Sequence, residues 1–182
     1  MTVLLRDATV ADHDAIVALN AAEVRHTSPM DGARLRELDA LAGCHRVAIV
    51  DGEVAAFLLA MPDHVAYRND NYAWFAARYE RFCYIDRVVV GAHRQGRRLG
   101  SRLYEDLFAW ARARAIPRVA CEFNLVPPNE PSRAFHARHG FAEVGRQWLG
   151  GKQVSMQVAA VGRDQGAGID DSSTKTAGTS HG

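Results

Sequence analysis

The spacing of apolar positions changes along the chain, and the changes divide it into strands and helices. Val3 to Arg6 reads as a short strand. Thr9 and Asp12 then form a capping box ahead of Ala15, Ile16 and Leu19, whose spacing predicts a helix to about Val24. A loop from Arg25 to Asp31 leads into a second amphipathic helix bearing Leu35, Leu38 and Leu41. Arg46 to Val50 and Val54 to Ala60 are apolar runs separated by Asp51-Gly52, a dipeptide that favours a two-residue hairpin turn. Tyr84 to Val90 is a β-branched run. Beyond it Leu99, Leu103 and Leu107 recur every fourth position on a helix expected from Gly96 to near Ala115, where Ile116-Pro117 stops it. Arg118 to Leu125 alternates, with Val119, Cys121, Phe123 and Leu125 on one face and Ala120, Glu122 and Asn124 on the other. Asn129 stands where a helix cap is needed, and Gly140 ends that helix. Phe141 to Trp148 and Lys152 to Ala160 predict a closing hairpin turning at Gly150-Gly151. In its second strand Val154, Met156 and Val158 alternate with Gln153, Ser155 and Gln157.

Two stretches depart from this regularity. Met61 to Phe82 joins strands that a short turn would connect, and it carries Tyr67, Tyr72, Trp74, Phe75 and Tyr79, with a helix expected from about Asp70. Connections of this length are often functional, and its aromatics suit either the core or a substrate-facing wall. From Gly162 onward the only large apolar residue is Ile169, too little to bury, so residues 162–182 are expected to form a tail without a fold and residues 1–161 a single domain.

Composition narrows the function classes. A chain of 182 residues with 48% hydrophobic content supports one sizeable core, and a formal charge of +1 argues against nucleic acid as the main partner. Arginines crowd locally at Arg94, Arg97, Arg98 and Arg102, which favours a small anion over a polymer. Cys44, Cys83 and Cys121 lie in apolar runs without metal-ligand spacing and read as buried thiols without a disulfide. His136 and His139 have no third ligand placed by spacing, so no metal is expected. With no basic leader and no run near the ~20 apolar residues of a membrane span, the expected location is cytoplasmic.

The candidate chemistry starts at the turn between the β-branched run and the helix after it. Gly96 and Gly100 lack side chains where a loop passes into a helix, so the backbone N–H groups there can converge on one anion. Gln95-Gly96-Arg97-Arg98-Leu99-Gly100 resembles the acetyl-CoA signature of the GNAT acetyltransferases, Gln/Arg-x-x-Gly-x-Gly/Ala, except that Arg98 stands at the middle glycine. The backbone there must accept a Cβ, which is comfortable only at negative φ, so Arg98 weakens the motif without removing it. Asn129 to Phe141 resembles the other half of the same signature, in which an Asn opens a helix and an aromatic pair precedes Gly-Phe. The stretch from Cys121 to Asn129 and the Gly150-Gly151-Lys152 ending resemble a bacterial subgroup of predicted acetyltransferases. The resemblance covers roughly Met1 to Val161.

It implies an α/β (α+β) GNAT fold, with a mixed, mostly antiparallel sheet flanked by helices. In that sheet the central strand and the strand from Arg118 run parallel and splay apart. It also implies acetyl-CoA as co-substrate. Pantetheine would lie along the backbone of Val88 and Val90, and the pyrophosphate on Gln95, Gly96, Arg97, Arg98, Leu99, Gly100 and Ser101. Asn129 would hold the pantetheine arm, with Asn124 and Ser132 beside it. Acyl transfer to an amine needs a base, an oxyanion donor and an acid for the leaving thiolate. Asp86 and Glu122 are the candidate bases, although Asp86 also suits a plain ion pair with Arg87. The Val90 N–H is the candidate oxyanion donor. His136 stands where the family usually has a tyrosine acid, and packing within its helix is the alternative. A primary amine of a small molecule or peptide is the expected acceptor, in a groove from Asn20 to Asp31 and Met61 to Trp74 that includes His26, Asp63, His64, Tyr67 and Asp70. The enzyme is expected to be a monomer or homodimer, without nucleic-acid or membrane partners. A non-catalytic acyl-CoA sensor and a nucleotide-phosphate binder are the other readings. The second lacks a Gly-Lys-Ser/Thr and interleaved aromatics.

Overall fold

The computed structural model describes residues 2–23 and 27–162. The expected helix end at Val24, His26 and all of the expected tail except Gly162 lie outside the described residues. Among the described residues seven strands form one sheet: β1 (Val3–Asp7), β2 (Cys44–Val50), β3 (Glu53–Pro62), β4 (Cys83–Val90), β5 (Arg118–Val126), β6 (Ala142–Leu149) and β7 (Lys152–Ala160). Their spatial order is β1-β2-β3-β4-β5-β7-β6, and every neighbouring pair is antiparallel except β4 and β5. Among the described residues five α-helices cover it: α1 (His13–Ala22), α2 (Gly32–Leu41), α3 (Asp70–Ala76), α4 (Leu99–Ala113) and α5 (Glu130–Arg138). Among the described residues no helix is long and apolar enough to cross a membrane.

The two faces carry separate cores. On one, Leu99, Leu103, Tyr104, Leu107 and Ala111 of α4, with Phe135 and Phe141 around α5, pack on Ala48, Leu58, Ile85 and Cys121. On the other, Ile16 of α1, Leu35 and Leu38 of α2, and Tyr72 and Phe75 of α3 pack on Val47, Phe57, Tyr84 and Met156. Of the aromatics in the long connection, Tyr67, Tyr72 and Phe75 are core residues, and Trp74 packs against the same core partly buried. Cys44, Cys83 and Cys121 are free, buried thiols, and burial pushes Cys44 up to about 12.

Turn and cap chemistry follow local rules. Asp51 and Gly52 both have positive φ, as a two-residue hairpin turn requires. Asp12 Oδ2 accepts from the Thr9 N–H at 2.8 Å, closing the expected box, and also holds Arg6 at 2.7 Å. Asn129 Oδ1 accepts from Ser132 N–H at the start of α5. One expectation needs correction. Arg98 has φ +58°, not a negative value, so helix α4 begins at Leu99 instead of Gly96. A left-handed residue cannot continue a right-handed helix, and the turn is completed at a cost of about 1–2 kcal/mol for the Cβ. In β7 the polar residues Ser155 and Gln157 are buried. β7 lies between β5 and β6, and these side chains satisfy each other, with Gln157 Nε2 donating to Ser155 Oγ and Ser155 Oγ donating to Glu143.

Candidate active site

The site originates in a sheet defect. β4 and β5 pair only at Cys83–Val119 and Tyr84–Ala120, and from Ile85 to Val90 the β5-facing edge of β4 has no strand beside it. On its other side β4 pairs with β3 through a bulge: Leu59 faces Arg87 and Ala60 faces Ile85, leaving Asp86 as the extra residue. The bulge shifts the alternation, so Ile85 and Val88 face the α4 core while Tyr84 and Val89 face the α1–α3 core. Asp86 and Arg87 both lie on the α1–α3 face, and Glu122 joins them there, in register with buried Met156 of β7.

The two carboxylates have different surroundings. Asp86 accepts from the Tyr67 hydroxyl through one oxygen and from Arg87 Nε at 2.7 Å through the other. Arg87 Nη1 continues to Asn20 Oδ1 and to the Ser28 carbonyl, both at 3.0 Å, tying the α1–α2 connection to the bulge. Asp86 is therefore a paired carboxylate, the simpler of the two readings that the sequence allowed it. Among the described residues Glu122 has no cation partner. Its Oε1 accepts from the Tyr84 hydroxyl at 3.0 Å, and its buried Oε2 makes no hydrogen bond of ordinary geometry, although the Asn71 side chain lies near enough to act on it. Burial pushes this carboxyl up to about 7, against the pull of the Tyr84 hydroxyl and the Asn71 amide, and the charge of Asp86 adds to the rise.

The turn before α4 has the features of an anion cradle. No side chain caps α4, and Arg102 N–H to Arg98 carbonyl is the bond that opens the helix. The N–H groups of Leu99, Gly100 and Ser101 are therefore the unfilled donors of a helix N-terminus. Gln95, Gly96, Arg97 and Arg98 are exposed around them, and a Cβ on Gly96 (φ +79°) would meet nothing within 4 Å. Gly100 has a different role: a Cβ there would touch the Phe135 ring at 3.4 Å, so this glycine lets α4 and α5 approach. Arg94 is engaged by Asp51 at 3.3 Å and Glu53 at 3.5 Å, and Arg98 reaches Glu105 at 3.8 Å.

The remaining expected residues cluster on the α4–α5 side. Asn129 caps α5, and the Asn124 carbonyl accepts from the Asn129 N–H. His136 is buried between Tyr104, Phe123, Phe135 and Phe141. Its Nδ1 lies 2.7 Å from the Ser132 carbonyl, which can only accept, so Nδ1 carries the hydrogen and Nε2 accepts from the Tyr104 hydroxyl at 3.0 Å. Burial lowers its pKa. The structure brings Asp86 and Glu122 together and places His136 on the opposite face of the sheet.

Four contributors were not singled out from the sequence. Tyr84 shares the strand face of Asp86 two residues on, a parity signal that was available. Asn20, Asn71 and Gln147 sit on different elements and carry no local signature.

The sequence profile of the acetyltransferase (GNAT) family matches residues 14–141. No curated protein sequence matches the chain. Among solved structures, a GNAT-family acetyltransferase from Streptococcus pneumoniae is 21% identical, with 88% of this chain and 100% of that chain covered and a TM-score of 0.68. The ribosomal-protein-S18-alanine N-acetyltransferase from Escherichia coli is 14% identical, with 93% and 98% covered and a TM-score of 0.70. The NatC complex bound to Gag peptide and CoA contains a chain 12% identical, with 89% of this chain and 100% of that chain covered and a TM-score of 0.68. At such identities the likeness is one of fold.

Proposed function

The chain belongs to the GNAT acetyltransferase family, and from that premise we propose that it transfers an acetyl group from acetyl-CoA to a primary amine of a small molecule or peptide by direct attack. The observation that carries this reading is the gap between β4 and β5, with an unpaired strand edge along one side and the Glu122 carboxylate on the α1–α3 face. The open edge at Val88 and Val90 suits the amides of a pantetheine arm as a short extra strand. The unfilled N–H groups from Leu99 to Ser101 and the exposed turn from Gln95 to Arg98 suit a pyrophosphate. Asn129, Asn124 and Ser132 would border the arm from β5 and α5. Bound acetyl-CoA supplies the activated acyl group.

Glu122 is the general base of this reading, because a carboxylate raised to about 7 is matched to proton transfer near neutral pH. As the amine nitrogen bonds to the acyl carbon and the carbon–sulfur bond breaks, Glu122 takes the amine proton. The Val90 N–H steadies the carbonyl oxygen. Asp86, paired with Arg87, holds Tyr67 at the acceptor wall. His136, with both nitrogens engaged, fixes α5 against α4 in this reading; the departing thiolate is a fair leaving group near neutral pH and takes its proton from water. Buried free thiols suit a cytoplasmic enzyme, acting as a monomer or homodimer.

A panel of primary amines incubated with acetyl-CoA, read by free-thiol release, tests this. At least one amine class should accelerate release well above hydrolysis, and Glu122→Gln should remove the acceleration. Tight acetyl-CoA binding with no amine-dependent release would favour the non-catalytic sensor.

A further inference from the structure

Glu122 is reached from the far edge of the sheet. β6 is the outermost strand, yet Gln147, in register with Val154 of β7, sends Nε2 to Asn71 Oδ1 of α3 at 2.8 Å. The bulge between Glu143 and Gly145 in the β6–β7 pairing sets the phase that puts Gly145 and Gln147 on the α1–α3 face. There Trp74 of α3 lies against Gly145 so closely that a Cβ would come within 2.4 Å of the indole, so no other residue leaves room for α3 in this place. β6 thus grips α3 at two points, one by packing and one by a hydrogen bond. A primary amide carries its acceptor on one side and its donors on the other. With Oδ1 turned to Gln147, the NH₂ is the part of the Asn71 amide left for Glu122, whose buried Oε2 has no hydrogen-bond partner of ordinary geometry among the described residues.

We propose that Asn71 and Gln147 are positioning residues that set the protonation of Glu122, the outer hairpin holding a hydrogen-bond donor against a buried carboxylate through the Asn71 amide. The groups facing Glu122 from the packed elements are few. β4 supplies the Tyr84 hydroxyl and the Asp86 carboxylate with its Arg87 partner, α3 supplies Asn71, and β7 supplies the apolar Met156. Tyr67, under the Arg34 guanidinium of α2, acts only through Asp86. Burial and Asp86 favour the proton, while Tyr84 and Asn71 oppose it. Only Asn71 depends on an amide orientation that another strand fixes. The consequence for catalysis rests on Glu122 being the base, but the positioning itself does not.

The test is the titration of the Glu122 carboxyl, followed in the full chain by carbon-13 NMR of labelled glutamate side chains and assigned with Glu122→Gln. Asn71→Ala removes the donor and should raise the midpoint by about one pH unit. Gln147→Glu keeps the shape but accepts from the Asn71 NH₂, turning Oδ1 toward Glu122, and should raise it at least as far. Gln147→Leu frees the amide and should give a smaller rise. Should Asn71→Ala unfold the chain, the two Gln147 variants carry the test. An unchanged midpoint in the variants, with a lowered melting temperature, would overturn the proposal and leave a purely structural contact. A wild-type midpoint in the ordinary carboxylate range would count against the base role of Glu122, while the shifts between variants still decide the positioning.

Discussion

Asp86 and Arg87 are consecutive in sequence, yet their side chains meet on one face of β4, with Arg87 Nε 2.7 Å from Asp86 Oδ2. In a regular strand successive side chains point to opposite faces. The bulge opposite Leu59 and Ala60 removes that constraint and places a buried ion pair where the sheet opens. Because Arg87 also binds Asn20 and the Ser28 carbonyl, one guanidinium neutralises a carboxylate beside the site and anchors the connection between α1 and α2.

Both partners are well buried, so removing one leaves an uncompensated charge. Arg87→Met should cost about 3–5 kcal/mol in a denaturant titration, and Arg87→Met with Asp86→Leu should recover much of that. Equal losses in the single and double variants would mean that the pair contributes little beyond packing.

The cradle predicts that acetyl-CoA raises the melting temperature, by an amount equivalent to about 2.7 kcal/mol at a hundredfold excess over Kd. Pantetheine, lacking the pyrophosphate, should stabilise far less. Gly96→Asp places a β-carbon on a residue at φ +79° and negative charge beside the phosphates, and should weaken acetyl-CoA binding at least tenfold. Undiminished binding by a folded Gly96→Asp variant would move the cradle elsewhere.

His136 gives a prediction about stability. Truncating it to Ala leaves a cavity among aromatics and removes the partner of the Tyr104 hydroxyl, which should cost about 2–4 kcal/mol. Turnover of the folded fraction should stay within a few-fold of wild type; a loss of 10²-fold or more would restore His136 as a proton donor. Its lowered pKa means that the unfolded chain binds the extra proton first. This residue therefore makes stability fall as pH drops through about 6.5, and His136→Phe should flatten that part of the stability profile.

Much of this fold was legible because local chemistry and tertiary position agree. Asp51-Gly52, Asn129 and Gly150-Gly151 act through their own backbones, and they are found where the sequence placed them. Glu122 lies on the strand face that the alternation predicts because β5 is regular down to Asn124. The misses have a common origin in non-local constraints. A bulge depends on the partner strand, so nothing within Tyr84 to Val90 announces that Asp86 and Arg87 share a face. Arg98 is left-handed because the turn needs that geometry, and the turn outweighs a cost of about 1–2 kcal/mol.

A chain ended after Gly162 should fold and bind acetyl-CoA like the full chain, since it keeps all seven strands and the bond from Arg112 Nε to the Gly162 carbonyl. A marked drop in melting temperature after this truncation would extend the domain beyond residue 162.

The last prediction concerns the opposed demands on Glu122. As a base it must lose its proton, so turnover under conditions where chemistry is limiting should rise with pH through about 7 and then level. Glu122→Gln should abolish that rise and lower turnover by about 10²–10⁴-fold, with acetyl-CoA affinity little changed. Stability should respond in the other direction. A carboxyl whose folded pKa lies above its unfolded value holds its proton more tightly in the native state, so its contribution is full below the unfolded pKa of ~4.3 and is lost as pH rises through about 7. Above that pH the ionised, buried carboxylate should cost on the order of 3 kcal/mol relative to its protonated form. Glu122→Gln lacks this titration, so at pH 8 it should be the more stable protein and at pH 4.5 should lose most of that advantage. Paired unfolding curves at the two pH values, beside the rate profile, check both halves. A variant that gains no stability at pH 8 would mean that Glu122 is already ionised well below neutrality, and one that keeps its turnover would move the base to Asp86.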